Sequence, residues 1–321
     1  MIPEPCHLVP PLPPDPLRRV RAALRLDDAY LLELARTAES RYRRFPRVKA
    51  SGKLRWITAP DDALKAAQRQ VLDVLLAEMP VHAAAHGFVS SRSIISNAAA
   101  HVGQTFVIGY DLRDFFGTTT AAAVRPHLDG LDAAERDWVL AVCTREGVLP
   151  QGAPTSPHLA NLAFRDADVE LAAWAQESGL RYTRYADDLC FSGGRVPEAM
   201  HDHIKRVCGA YGYRLAGEKT RVLRRDRSQR VTGLVVNARV FVPRTERRLL
   251  RAVLHDARAR GLPQALARAG MVDTHVLRGR IGFVAQADAA LGAALLTELD
   301  GLMAVHHAEL AEVACLPATM R

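Results

Sequence analysis

The chain has 321 residues, enough for one large domain or two to three modest ones. With 49% hydrophobic and 24% charged residues it has the profile of a folded, soluble protein, and no apolar run approaches the roughly 20 residues of a membrane-spanning helix. Net charge is +8, which suits a polyanionic partner without proving one, and the five cysteines (Cys6, Cys143, Cys190, Cys208, Cys315) stand singly, giving neither a zinc pattern nor a disulfide framework.

The N-terminus is rich in proline to about Pro16 and lacks a basic region followed by an apolar block, so no secretory signal is read there. Single cysteines and no signal point to a reducing cytoplasm. From Asp27 to about Arg44, the spacing of Leu31, Leu32, Leu34, Ala35 and Ala38 predicts an amphipathic helix. Ser51-Gly52 marks a turn and Lys53–Thr58 a short strand. Ala63–Met79 repeats apolar residues at helical spacing. Thr105–Tyr110 reads as a buried strand ending on Asp111. Arg181–Tyr185 and Leu189–Ser192 read as two strands of a hairpin with Ala186-Asp187-Asp188 at its tip, and Val231–Val236 as a further strand. After Pro243 the chain turns helical to about Glu312, with breaks near Gly261 and Gly270. Strands and helices mix without a regular βαβ rhythm, which predicts an α+β fold with helical additions.

Three Asp-Asp pairs occur. Asp27-Asp28 and Asp61-Asp62 fit helix starts, where aspartate caps backbone N–H groups. Asp187-Asp188 differs, because its flanks are apolar and β-forming, and adjacent charges there are costly unless a cation offsets them. Asp111 also ends a hydrophobic strand. Carboxylates at the ends of neighbouring strands can share hard cations, and two magnesium ions about 4 Å apart stabilise the attacking and leaving oxygens of a phosphoryl displacement. Since strand side chains alternate faces, Asp187 and Asp188 are not equivalent; Asp187 is expected to be the firmer ligand.

These residues resemble a known family. Tyr185-Ala186-Asp187-Asp188 looks like the YxDD box of reverse transcriptases, Asp111–Phe116 like their first catalytic block, and Gln151-Gly152-Ala153-Pro154-Thr155-Ser156-Pro157 like their QGxPxSP block, all in the family's order. Asn97-Ala98-Ala99-Ala100-His101 matches the NAxxH signature of bacterial retron reverse transcriptases, and Val231-Thr232-Gly233 their VTG signature. His86-Gly87-Phe88, Arg92-Ser93-Ile94, Tyr182-Thr183-Arg184, Lys219-Thr220 and Leu277-Arg278-Gly279 extend the similarity over roughly residues 40–285. Gly117 departs from it, where the family often has proline.

The resemblance implies a right-hand polymerase: an N-terminal extension (1–45), fingers (46–104), a palm (105–237) with an inserted fingers segment (about 118–156), and a helical thumb with C-terminal helices (238–321). It implies catalysis by Asp111, Asp187 and Asp188 with two Mg2+ ions. Lys219 would protonate the departing pyrophosphate or simply contact phosphate. For the dNTP, Arg55 would grip the triphosphate bidentately, Phe116 would exclude a 2′-OH by clash, and Gln151 would line the pocket. Lys49 and Lys53 are weaker candidates. Asn97, His101, Val231, Thr232 and Gly233 are associated with the cognate RNA, though a structural role for His101 also fits. His82 and His86 have metal-compatible spacing but no third ligand.

The implied partners are a structured noncoding RNA serving as template and primer, dNTPs, the RNA–DNA hybrid product, a retron effector protein and host RNase H, since the 84 residues after Asn237 are short for an RNase H domain. The implied product is branched, RNA-linked single-stranded DNA made for antiphage defence. A group II intron-like reverse transcriptase and a catalytically silent RNA-binding scaffold are the alternatives. One further expectation needs no family. Arg244, Arg247, Arg248, Arg251, His255 and Arg258 fall within an arc of about 100° on one helix, at ~100° per residue. Glu246 and Asp256 project outside it. This basic face predicts RNA-phosphate contacts that do not read sequence.

Overall fold

The computed structural model describes residues 17–48, 52, 54–217 and 221–315. In chain order the elements are α1 (Arg18–Leu24), α2 (Asp28–Thr37), β1 (Tyr42–Val48), β2 (Leu54–Pro60), α3 (Asp62–Gln70) running into a π-helical segment (Val71–Leu76), α4 (Ile94–Ala99), β3 (Phe106–Asp111), α5 (Phe115–Thr118), α6 (Ala121–Val124), α7 (Ala133–Cys143), α8 (Ser156–Ala163), α9 (Arg165–Glu177), β4 (Leu180–Tyr185), β5 (Asp188–Gly193), α10 (Met200–Ala210), β6 (Arg221–Arg224), β7 (Arg230–Val231), β8 (Leu234–Val235), α11 (Arg244–Arg260), α12 (Leu262–Arg268), α13 (Thr274–Ala287) and α14 (Ala289–Cys315). The fold is α+β, with small antiparallel sheets among helices. The chain divides into two compact units: residues 1–85, 112–171 and 201–216 form one, and 86–111, 172–200 and 217–321 the other.

In the first unit, Asp27 and Asp61 cap α2 and α3 as the sequence predicts, their side chains accepting from Tyr30 N at 2.7 Å and Leu64 N at 2.8 Å. The helix predicted from Asp27 to about Arg44 instead ends at Thr37. After a single 3-10 turn, Tyr42–Val48 pairs antiparallel with β2, Tyr42 opposite Pro60 and Val48 opposite Leu54. β2 (Leu54–Pro60) falls where the sequence predicts the strand Lys53–Thr58, whereas β1, open on both faces, has no apolar alternation to announce it. The unit's aromatic core sets Phe115, Phe164 and Tyr213 together, with the last two 4.9 Å apart edge to face. Trp138 on α7 donates its indole N–H to the Leu31 carbonyl of α2 at 2.8 Å.

The second unit is built on the sheet β4-β5-β3-β6, antiparallel throughout. Val231–Val236, predicted as one strand, is a minimal hairpin, β7–β8, whose turn residues Thr232 and Gly233 have φ of 46° and 83°. Positive φ at both central positions matches the twist of a tight hairpin, and it costs a β-branched threonine strain that glycine escapes. Helices α11 to α14 bury Leu250, Leu254, Leu277, Ile281, Leu295 and Leu299 in one core. Gly261 ends α11 and Pro263 starts α12, at the predicted break.

No unbroken apolar run of about 20 residues occurs, but α14 contains one window, Ala289–His306 with mean hydropathy 1.2, that is long and apolar enough for a membrane span by length and overall composition. Its five leucines carry most of that apolarity, but Thr297, Glu298 and Asp300 interrupt it, so no continuous apolar run announces it. Leu295 and Leu299 face the unit's core, and Glu298 pairs with Arg258 at 3.1 Å, as in a helix packed on protein.

Candidate active site

β3 is a buried central strand, and its register with β5 sets Asp111 directly opposite Asp188. Directly opposed residues of an antiparallel pair share a face, with Cβ atoms about 5 Å apart. Both aspartates line one cavity of about 710 Å3, floored by Val107, Gly109 and Cys190. Like charges so opposed repel, and a hard cation between them relieves that repulsion. The donor set therefore fits magnesium, which takes one or two carboxylates and completes its shell with water and substrate phosphate. Asp187 occupies the second corner of the β4–β5 turn and is half-buried, whereas Asp188 is exposed. Among the described residues, no three acidic, histidine or cysteine side chains gather closely enough to form a metal cage unaided.

The turn that carries these groups is held from beneath. Ala186, at its first corner, has φ 56°, the sign a type II′ turn carries. Arg184, fully buried, donates to the Ala186 carbonyl at 3.1 Å. His86 donates its backbone N–H to the Arg184 carbonyl at 2.7 Å. Gly87 lies so close that a Cβ there would meet Ala186 N at 2.6 Å. Phe88, with φ 61°, sets its ring 6.5 Å from Tyr185.

The signature residues separate by burial. His101 is completely buried, its Nδ1 bonded to Ser192 Oγ and its Nε2 to Thr183 Oγ1, both at 2.7 Å. Burial first, then the charge of Arg181, lowers its pKa to about 3, so the ring is neutral. With both ring nitrogens bonded inside the protein, His101 fastens the segment after α4 onto β4 and β5. Val231 is likewise core. Asn97 is buried in the cavity wall and its Oδ1 has no hydrogen-bond partner. Thr232 and Gly233 lie at the hairpin turn, where Thr232 Oγ1 donates to the Ile94 carbonyl at 3.1 Å.

Of the nucleotide candidates, Arg55 stands exposed on β2, on the same ribbon face as Ile57. Thr58 N donates to the Gln151 carbonyl at 2.9 Å, and Gly152 lies against Ile57 and Thr58 with no room for a side chain. Arg55 and Gln151 are thus brought to one region of the first unit. Phe115 is core, while Phe116 beside it remains half-buried. Gly117, where proline was the resemblance's norm, sits under the Asp114 carboxylate, which a Cβ would strike. Lys219, Lys49 and Lys53 lie outside the described residues. On α11, Arg244, Arg248, Arg251 and Arg258 are exposed and Arg247 half-buried, while Leu250, Val253, Leu254 and Ala257 are buried. Arg258 is paired with Glu298, a contact that helix geometry alone does not show.

A further arginine pair, Arg227 and Arg230, escapes the motif reading. Both line the cavity with Asp111 and Asp188. Their loop is braced by Gln229, whose amide donates to the Gln104, Thr105 and Leu223 carbonyls, and by Asn237, which donates to the Arg225 and Arg227 carbonyls and accepts from Gln229 N. The charge run Arg224-Arg225-Asp226-Arg227 was the available signal.

Residues 47–236 match the reverse transcriptase (RNA-dependent DNA polymerase) family. The Retron Mx162 and Retron Mx65 reverse transcriptases of Myxococcus xanthus are 38% and 41% identical to the chain, over 79% and 71% of it and 59% and 58% of their own lengths. The chain thus spans less than two thirds of those two proteins. The Retron Ec86 reverse transcriptase of Escherichia coli is 33% identical over 74% of the chain and 77% of its own length. A family match over more than half of the chain, together with a relative 33% identical over 77% of its own length, shows that the chain belongs to the reverse transcriptase family and, within it, to the retron reverse transcriptases.

Proposed function

We propose that the protein is an RNA-directed DNA polymerase that binds a structured noncoding RNA and copies part of it into branched, RNA-linked single-stranded DNA. The observation that carries this reading is Asp111 opposed to Asp188 at the end of a buried strand, over a cavity that also presents Arg227 and Arg230. In the reaction a primer hydroxyl oxygen bonds to the α-phosphorus of a dNTP, and pyrophosphate departs with the cleaved bond's electrons. Asp111, Asp187 and Asp188 would hold two magnesium ions, which when bound supply the positive charge that stabilises the attacking and leaving oxygens. Arg55 takes the triphosphate bidentately, Gln151 lines the nucleotide site, and Phe116 excludes ribonucleotides by steric conflict. Lys219 serves pyrophosphate departure. The division into fingers (46–104), palm (105–237) and thumb (238–321) goes with this reading.

The exposed arginines of α11 hold phosphates of the RNA stem or product hybrid. The dNTPs, the noncoding RNA, an effector protein, host RNase H and a cytoplasmic role in phage defence complete the reading, all by likeness to the family. The decisive experiment incubates the purified protein with the noncoding RNA encoded beside it, dNTPs and magnesium. A branched product supports the proposal. Extension only from an annealed 3′ end supports a group II intron-like enzyme, and no synthesis supports a scaffold.

A further inference from the structure

Between Tyr42 and Pro60 the sequence has six basic residues, Arg43, Arg44, Arg47, Lys49, Lys53 and Arg55, and no acidic one. Within the ribbon β1–β2, opposed residues share a face and successive residues alternate. One face carries Arg43, Phe45 and Arg47 with Arg55 and Ile57, and it is the face that meets Gly152. The other carries Arg44, Pro46 and Val48 with Leu54 and Trp56. This second face is open: Trp56 is 47% exposed, Leu54 59% and Val48 67%. The Arg44 guanidinium lies 4.7 Å from the Trp56 ring centroid.

A two-stranded ribbon open on both faces is marginal in water by itself, and clustered exposed apolar side chains mark a binding surface. The chemistry here selects the occupant. A flat ring beside unopposed cations suits a strand with flat apolar bases and a regular anionic backbone, which is how single strands are gripped without sequence preference. We propose that the Trp56 face binds an unpaired stretch of RNA, with one base stacked on Trp56 and Arg44 on an adjoining phosphate, while the Arg55 face serves the nucleotide. Calling that strand the template rests on the polymerase reading; the stacking does not.

Tryptophan emission reports the contact, because Trp138 is buried and only Trp56 and Trp174 have accessible surface. The full chain is titrated with oligo(rU), without divalent metal or dNTP, following emission and the anisotropy of labelled oligonucleotide. Saturable quenching is expected, with loss of most of the quenching but not of binding in Trp56→Phe, and roughly 10- to 100-fold weaker binding in Trp56→Ala. Binding without quenching, quenching reversed by dTTP, or equal quenching by a blunt duplex or by polyglutamate each overturns the proposal. Wild-type extension of oligo(dT) on poly(rA) with magnesium and dTTP tests the polymerase reading separately, so either idea can fail alone.

Discussion

At the scale of single residues, burial decides which side chains act on a ligand and which hold the fold. Replacing Asp187 with Asn removes a carboxylate charge from the turn and leaves every arginine of the sequence in place. DNA synthesis is expected to fall at least 100-fold with RNA affinity within about threefold, since loss of a charge-stabilising group acts on the transition state. Synthesis near the wild-type rate would sink the catalytic assignment. Phe116→Ala is expected to lower the dNTP/rNTP discrimination ratio in single-nucleotide incorporation, whereas Phe115→Ala acts chiefly on stability, because only Phe115 is buried core. An unchanged ratio in Phe116→Ala would remove it as the gate. His101 makes a prediction of the opposite kind. Folded, it stays neutral down to about pH 3, while an unfolded histidine takes up its proton near 6.5. Between those values the unfolded chain holds the extra proton, so acidification destabilises the fold by up to roughly 1.4 kcal/mol per pH unit. Urea midpoints from pH 7 to pH 4 are expected to fall less steeply in His101→Gln, and parallel curves would show that His101 does not titrate in this window.

At the scale of elements, the carboxylate turn is only as well placed as the segment beneath it. Gly87→Ala inserts a methyl where 2.6 Å separates it from Ala186 N, and the glycine backbone itself needs no special φ there. The β4–β5 tip must then move. A displacement of order 1 Å in a catalytic group costs on the order of 100-fold in rate, so activity is expected to drop far more than thermal stability. A Gly87→Ala enzyme with full kcat would mean that the tip tolerates the shift. Elements differ in how plainly the sequence announces them. β3 and the β4–β5 hairpin are legible because apolar β-formers run into acidic residues. β6 (Arg221–Arg224) and β1 are not, because charged strands with open faces have no period-two apolar signal. The site divides in the same way. Local motifs show Asp111 and the YADD turn, but the opposition of Asp111 to Asp188 is a matter of register. The bracing of the Arg227 loop by Gln229 reaches the Gln104 and Thr105 carbonyls more than 100 positions away, which no local pattern contains.

At the scale of the whole molecule, the +8 charge is unevenly spent on internal pairing. Arg21, Arg36, Arg125, Arg165, Arg206, Arg260, Arg278 and Arg280 each pair with an acid. Among the described residues, Arg225, Arg227, Arg230, Arg244, Arg247, Arg248 and Arg251 show no ion pair. That concentration makes α11 the region to probe by ionic strength. Changing Arg244, Arg248 and Arg251 together to Gln is expected to reduce the slope of log affinity against log salt by up to about three, roughly one per phosphate contact. Arg258 belongs outside this set because Glu298 already neutralises it. An unaltered slope with tight binding would place the basic footprint elsewhere.

The order in which the chain visits its two units also bears on its synthesis. It passes from one unit to the other five times, and neither is a continuous segment. β3 leaves the ribosome long before β5 and β6, so the central strand of its sheet waits with both edges bare until residue 193 has been made, and with one bare until residue 224. An apolar strand with unpaired edges is a template for association with other chains. The nascent protein is therefore expected to fold in higher yield at low expression rate than at high, read as the soluble fraction, and no single cut in the gene yields two fragments that each contain a whole unit.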